Sequence, residues 1–325
     1  RGNFEGGATV LHLVRSPQEL AAGRGWTISQ VEAALEDARQ ALLAARAERV
    51  PPFRDEKILT AWNGLAISAL ARAGLLLAEP RYLQAAAEAA TLLVEKLGLG
   101  GHLYRVYKDG VVKVEGYLED YGALIVGLLD LFGATGDPGW YRRAAAHAQT
   151  VIHEFADEEN GDFYMTAAGG PRLLVRPKDR HDSATPSGTS LMAHALVRLY
   201  HLSGEERYRL LADNLFRCHA EAMRSNPWGM ANLICALDSY LAEPETVVIC
   251  GQPDETAPLV RAATERYRPN LLVCLRRPET PDGELPDLLH QKSRIGNQPA
   301  AWLCRHFACQ APITSPDELR AALGD

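Results

Sequence analysis

Helices of two characters take turns along this chain. Leu59 to Ala78, LTAWNGLAISALARAGLLLA, is apolar on nearly every side, broken by Thr60, Asn63, Ser68 and Arg72. A helix without a polar face is a buried helix. The segment that follows, PRYLQAAAEAATLLVEKL, sets Leu83, Ala86, Ala90, Leu93 and Leu97 on one stripe, with Gln84, Glu88 and Glu95 off it. That spacing predicts a helix with one face on the core and the other in water. The alternation repeats in YGALIVGLLDLFGA, whose one charge is Asp130, and WYRRAAAHAQTVIHEF. It repeats again in GTSLMAHALVRLYHL and EERYRLLADNLFRCHAEAM, and WGMANLICALDSYL opens a further inner helix. A tyrosine near the start of each outer helix (Tyr82, Tyr141, Tyr208) marks the register. The period is roughly 60 residues, which implies stacked helical hairpins rather than independent domains.

The connections are unequal. Inner-to-outer links are short (EPR, TGDPG, SGE), whereas the first two outer-to-inner links run over Gly98 to Gly116 and Ala156 to Ala184. Both carry strand-like pieces, and Asp109-Gly110 is a hairpin turn signal. The long loops therefore gather over the N-terminal ends of the inner helices, forming a rim of the kind that carries function. Adding SQVEAALEDARQALLAARAERV gives about eight long helices, fewer than a closed double ring of hairpins needs. The expected architecture is mainly α, an incomplete (α/α)6 toroid over residues 1–243 with its first hairpins absent. From Pro244 the pattern changes to ETVVICG and NLLVCL, read as strands bracketing a helix at Thr256 to Tyr267, with AWLC as a third strand. Residues 244–325 are thus expected to form a small α/β appendage, without the G-x-G-x-x-G of a nucleotide fold.

The rim concentrates polar chemistry. Asp55, Glu56, Lys57, Trp62 and Asn63 precede or open the first inner helix; Glu119, Asp120 and Tyr121 open the second. Lys178, Asp179, His181, Asp182 and Ser187 lead into the third, and Asn226 and Trp228 into the fourth. Carboxylates near positive helix ends, together with aromatic platforms, suit a polyhydroxylated ligand such as a sugar. The acid/base candidates are Asp55, Glu119, Asp120 and Asp182. Lys57, Trp62, Asn63, Tyr121, Lys178, His181, Ser187 and Trp228 are the binding candidates, with Trp62, Tyr121 and Trp228 as stacking surfaces. Glycoside hydrolysis requires two carboxylates ~5–5.5 Å apart for retention or ~6.5–9.5 Å for inversion. Epimerisation by proton transfer would more naturally use histidines, and only His102 and His181 lie near this rim, so epimerase chemistry is the less supported reading. Each residue also has a plain structural reading. Asp55, Thr60 and Ser187 fit helix caps, and Glu119 and Asp120 favour a helix start through the macrodipole. The sparse lysines Lys57 and Lys178, in a chain rich in arginine, read as compact charges that pair with acids.

At 325 residues, 47% hydrophobic and 23% charged, the chain can bury a sizeable core, and its net charge of −7 argues against nucleic acid or an anionic membrane as partner. No apolar run approaches the ~20 residues of a membrane span. No signal peptide precedes Arg1, and the start without Met reads as part of a longer protein. The six cysteines form no C-x-x-C and no zinc-finger spacing, so reduced thiols in a cytoplasmic protein are expected, with no metal and no cofactor. Cys304 and Cys309 could pair if a turn brought them together, but inert thiols are the favoured reading.

In order along the chain, NFEGG, DEKILTAWNG, YLEDYGALIVGLLDL, LLVRPKDRHDSATPSGTS and AWLCRHFACQAPIT resemble the YyaL/spermatogenesis-associated protein 20 family, the DUF255 thioredoxin-domain-containing proteins. The resemblance covers essentially the whole chain. It implies a toroid of the six-hairpin glycosidase type that, in the complete protein, follows a thioredoxin-like domain. It also makes Asp55, Lys57, Trp62, Asn63, Glu119, Asp120, Pro186, Ser187 and Gly188 part of the family signature. Two functions follow as expectations. One is a carbohydrate-active or carbohydrate-binding toroid, hydrolase-like if catalytic, with a saccharide ligand. The other is a non-catalytic module that binds a client for the attached redox domain.

Overall fold

The computed structural model describes residues 2–170, 173–242 and 244–324. The chain divides into two compact units, Arg1–Glu56 and Lys57–Asp325. The first contains α1 (Pro17–Arg24) and α2 (Ile28–Ala47). Each starts with a reciprocal capping box, Ser16 with Glu19 and Thr27 with Gln30, which satisfies amide groups that the helix itself leaves unbonded.

The second unit opens with β1 (Ile58–Leu59), α3 (Thr60–Leu76) and α4 (Pro80–Leu92). A small sheet of β2 (Gly98–Leu99), β3 (His102–Lys108) and β4 (Val111–Glu115) follows, with β1 on the free edge of β3. The turn between β3 and β4 uses Asp109 and Gly110 with φ of 51° and 78°, the left-handed pair that a tight hairpin requires. Next come α5 (Leu118–Thr135), α6 (Pro138–Glu154), the short pair β5 (Ala156–Asp157) and β6 (Asp162–Phe163), α7 (Gly188–Ser203), α8 (Glu206–Ser225) and α9 (Ala231–Leu241).

The alternation in the sequence is the alternation in space. α5 is buried along nearly its whole length, whereas α6 buries one stripe, Ala144, Ala148 and Val151. Among the described residues, α3, α5, α7 and α9 pack side by side in that order as the inner layer, with α4, α6 and α8 outside them. The chain is thus a mainly α arc of an (α/α) toroid. Small residues set the spacing of the inner layer. A Cβ on Gly64 would lie 2.6 Å from the Ala123 carbonyl carbon, and one on Gly188 would lie 2.8 Å from the Glu119 nitrogen. Any side chain at either position would push two inner backbones apart.

Beyond α9, β7 (Glu245–Cys250), α10 (Pro253–Thr264) and β8 (Leu271–Arg276) form a parallel unit; β9 (Ala300–Arg305), β10 (Ala308–Cys309) and α11 (Pro316–Ala322) complete the chain. The strand order is β10-β9-β7-β8. Successive strand residues face opposite ways. Val247 and Ile249 pack with Leu259 and Ala263 of α10 and with Leu319, while Val248, Cys250, Cys274 and Cys304 join the core of the helical layer. The α/β layer therefore shares the second unit's core, and the compact units do not divide at residue 244, where the sequence pattern changes. The expectation of free thiols is corrected at one pair. The β9–β10 register sets Cys309 opposite Cys304, and the two form a disulfide. Among the described residues, no helix is long and apolar enough to cross a membrane.

Candidate functional site

The N-terminal ends of the inner helices meet, joined by side-chain carboxylates. Asp120, in the first turn of α5, accepts a hydrogen bond from the backbone N–H of Ala61 at the start of α3 (3.0 Å). It also accepts from the Tyr117 N–H and from Arg105 Nη1, both at 2.9 Å. Asp179 accepts from Gly188 N–H (2.9 Å) at the start of α7. Asp182 bridges two helices, accepting from Ser187 N–H (2.9 Å) and from Asn232 N–H (2.8 Å) in the first turn of α9. Helix starts carry unbonded N–H groups and a partial positive charge, so a carboxylate satisfies both needs.

These roles revise several expectations. Asp120 is 0% exposed, with burial the largest influence on its carboxyl, lifting it to about 6 against the pull of Arg105. It anchors two helices and presents no surface to a ligand. Glu119 is held by Arg105, whose guanidinium also lies over the Tyr117 ring. Asp179 is raised by burial, with Glu119 and Asp182 adding repulsion. Contrary to the stacking role expected for it, Tyr121 is 2% exposed; it packs edge-on to Phe155 and accepts the Leu103 N–H. Ser187 caps α7 through the Ser190 N–H, and Asn63 donates back to the Leu59 carbonyl.

Lys178 is not a rim cation either. Its amine pairs with Asp157 (2.6 Å) and Asp162 (3.1 Å) beneath the third inner connection. The bond from Lys178 is the largest of the influences that hold Asp157 down at about 2. Asp162, Cys218 and His219 stand close enough to suggest metal ligands. Arg180 and Lys178, however, both reach the Asp162 Oδ2 atom, so cationic side chains already occupy that oxygen. Lys57 and His181 are exposed, and Asp55 belongs to the first compact unit. Trp62 and Trp228 stand out at the rim, 61% and 90% exposed.

Deeper, between the inner helices and the α/β layer, lies a cavity of about 450 Å³. Its lining, among the described residues, includes none of the candidate catalytic and binding residues read from the sequence. Instead it holds Ser68 of α3, Asp130 of α5, His194, Arg198 and His201 of α7, and Asn232 of α9. Ser68 donates to Asp130 Oδ2 (2.5 Å) and Arg198 Nη2 donates to Asp130 Oδ1 (2.6 Å), so three inner helices share one polar network. Burial keeps His194 low and brings His201 down to about 4, with Arg198 adding to both effects, so both imidazoles are neutral near pH 7. His194 Nε2 lies 3.1 Å from the Asn232 carbonyl, which can only accept; in the neutral ring the proton sits on Nε2, leaving Nδ1 basic. Asn232 Nδ2 is a buried donor with no protein partner.

The sequence held a signal for this cavity. Ser68 with Arg72, and His194 with Arg198 and His201, recur at i, i+4 and i+7 spacings on inner helices that are otherwise apolar. Polar residues sharing one face of a buried helix need a common destination.

No family model matches the chain. Human spermatogenesis-associated protein 20 is 32% identical over 338 residues, covering 98% of this chain and 42% of that protein. Among solved structures, a cellobiose 2-epimerase from Spirochaeta thermophila aligns with a TM-score of 0.42 at 17% identity, over 50% of this chain and 43% of its own. A GH76 α-mannanase from Bacteroides thetaiotaomicron aligns with a TM-score of 0.40 at 13% identity, over 60% of this chain and 57% of its own. The chain spans less than half the length of the curated relatives it matches. Across nearly all of its own length, the chain is similar to the spermatogenesis-associated protein 20 proteins of human, rat and mouse, at 30–32% identity.

Proposed function

We propose that this chain is a saccharide-binding (α/α) toroid whose ligand occupies the cavity between the inner helices. The observation that carries this reading is the convergence of Ser68, Asp130, His194, Arg198 and Asn232, from four inner helices, on one space of about 450 Å³. That volume falls within the ~300–1,000 Å³ of small-molecule sites. A buried donor without a partner costs about 1–3 kcal/mol. A ligand hydroxyl at Asn232 Nδ2 recovers that cost, and hydroxyl-rich ligands offer many such oxygens.

The acid/base inventory favours proton transfer over hydrolysis. Asp130 is the one carboxylate in the lining among the described residues, whereas two-carboxylate hydrolysis needs a pair. Neutral His194, whose Nε2 faces the Asn232 carbonyl, would exchange a proton with carbon or oxygen of a bound sugar. His201, also neutral, lies two turns further along α7. Trp62 and Trp228 would stack on sugar units that extend past the rim.

Calorimetric titration with a panel of neutral mono- and disaccharides tests the reading. Expected is saturable binding by at least one of them, weakened in Asn232→Ala and in Asp130→Asn. If no saccharide binds, or if binding is untouched by both substitutions, the ligand class or the cavity is wrong, and a client-binding role gains ground.

A further inference from the structure

The cavity carries a charge opposite to that of the chain. Among the described residues its lining includes four arginines, Arg72, Arg198, Arg266 and Arg268, against the single carboxylate of Asp130, in a protein of net charge −7. Arg198 is committed to Asp130. Arg72 lies one turn beyond Ser68 on α3, on an exposed position. Arg266 and Arg268 come from the segment between α10 and β8. That segment stands over the C-terminal half of the inner layer, because α10 packs on α3 and β8 on α5, where a Cβ on Gly133 would lie 3.0 Å from the Val273 carbonyl oxygen. The positive charge is therefore gathered at the end of the cavity away from the rim. Arg266 and Arg268 also engage other groups of the chain. What matters is the sum of charge around the space, not a vacancy at any one guanidinium.

Charge of one sign around a low-dielectric concavity focuses its field and raises the local concentration of counter-ions. Guanidinium groups match the oxygens of phosphate and carboxylate with paired N–H donors. We infer that the cavity selects a saccharide bearing an anionic group, a sugar phosphate or a uronate, with that group against Arg72, Arg266 and Arg268 and the hydroxyls against Asp130 and Asn232. This rests on the saccharide reading of the cavity and narrows it to one ligand class. The competing role for these arginines is to neutralise the negative carboxyl ends of α3 and α10.

Titration of the chain with glucose, glucose 6-phosphate, glucuronate and inorganic phosphate, at low and at physiological salt, separates the possibilities. The expected result is binding of the phosphate sugar or the uronate about tenfold tighter than glucose, the scale of one hydrogen bond to a charged group. The preference should shrink with salt and fall below about threefold in Arg72→Gln and in Arg72→Gln/Arg266→Gln, at an unfolding midpoint close to wild type for the exposed Arg72 position. Equal affinity for neutral and anionic sugars overturns the inference and leaves the saccharide reading standing. Arginine-dependent binding of inorganic phosphate without any sugar binding keeps the anion site and removes the saccharide. Silence from every probe removes both, leaving the arginines as helix-end counter-charges.

Discussion

The carboxylate of Asp120 holds the backbone N–H of Ala61 at 3.0 Å, across 59 positions of sequence. One acidic side chain in the first turn of α5 thereby fixes the start of α3. It does so from full burial, with Arg105 and the Tyr117 N–H on its other oxygen. The bond is structural, and its strength depends on protonation.

Because burial raises Asp120 to about 6 from 3.8, its neutral form is favoured by folding. The associated stability is fully present below pH 3.8 and is lost as pH rises through about 6. The shift corresponds to about 3 kcal/mol at most. Asp120→Asn cannot titrate there. In urea unfolding at stepped pH, the stability of wild type relative to Asp120→Asn should therefore decline between pH 4 and 7. A constant difference would show that Asp120 ionises as readily folded as unfolded.

Gly64→Ala places a methyl 2.6 Å from the Ala123 carbonyl carbon, and backbone cannot swing aside as a side chain can. A loss of about 1–3 kcal/mol is expected despite alanine's better helix propensity, read as a lower denaturation midpoint. A stabilised variant would mean that α3 and α5 are less closely apposed than described.

Asp130→Ala strips Arg198 of its partner inside the cavity. Removing one half of a buried pair costs about 3–5 kcal/mol, whereas Asp130→Ala combined with Arg198→Met should recover part of that loss. The double-mutant cycle, followed by denaturant unfolding, would contradict the pairing if the two changes simply added.

Breaking the Cys304–Cys309 crosslink should have a modest effect, since the bridged residues are five apart in sequence. Loop-closure entropy for so short a ring gives about 2 kcal/mol. Cys309→Ser is expected to lower the midpoint by that amount, and intact mass under non-reducing conditions should register the bridge in wild type. A mass showing six free thiols would refute it.

Much of the fold was legible because burial leaves a direct trace in composition. The lone Asp130 in an otherwise apolar run marked α5 as an inner helix, and Asp109-Gly110 marked the β3–β4 turn. Ser187 read correctly as a possible cap. The rim was harder, since a carboxylate at a helix start looks the same whether it awaits a ligand or bonds a neighbouring helix. Asp120 and Asp182 find partners 59 and 50 positions away, distances that local spacing does not encode. Lys178 reads as a lysine that pairs with acids, yet its partners Asp157 and Asp162 lie on an earlier strand pair that local spacing does not connect to it. The cavity was not legible because Ser68, Arg72 and Asp130 each read as a break in its own helix, and the space they share is set by contacts between helices.

Helix ends ordinarily fray before helix middles do. In this inner layer that order is suppressed at the opening turns: those of α3, α7 and α9 are held by acids from other segments, and α5 begins with its Leu118 N–H on the Met165 carbonyl. Amide hydrogens in those turns should exchange as slowly as those at mid-helix, and release of any one end should loosen its neighbours with it.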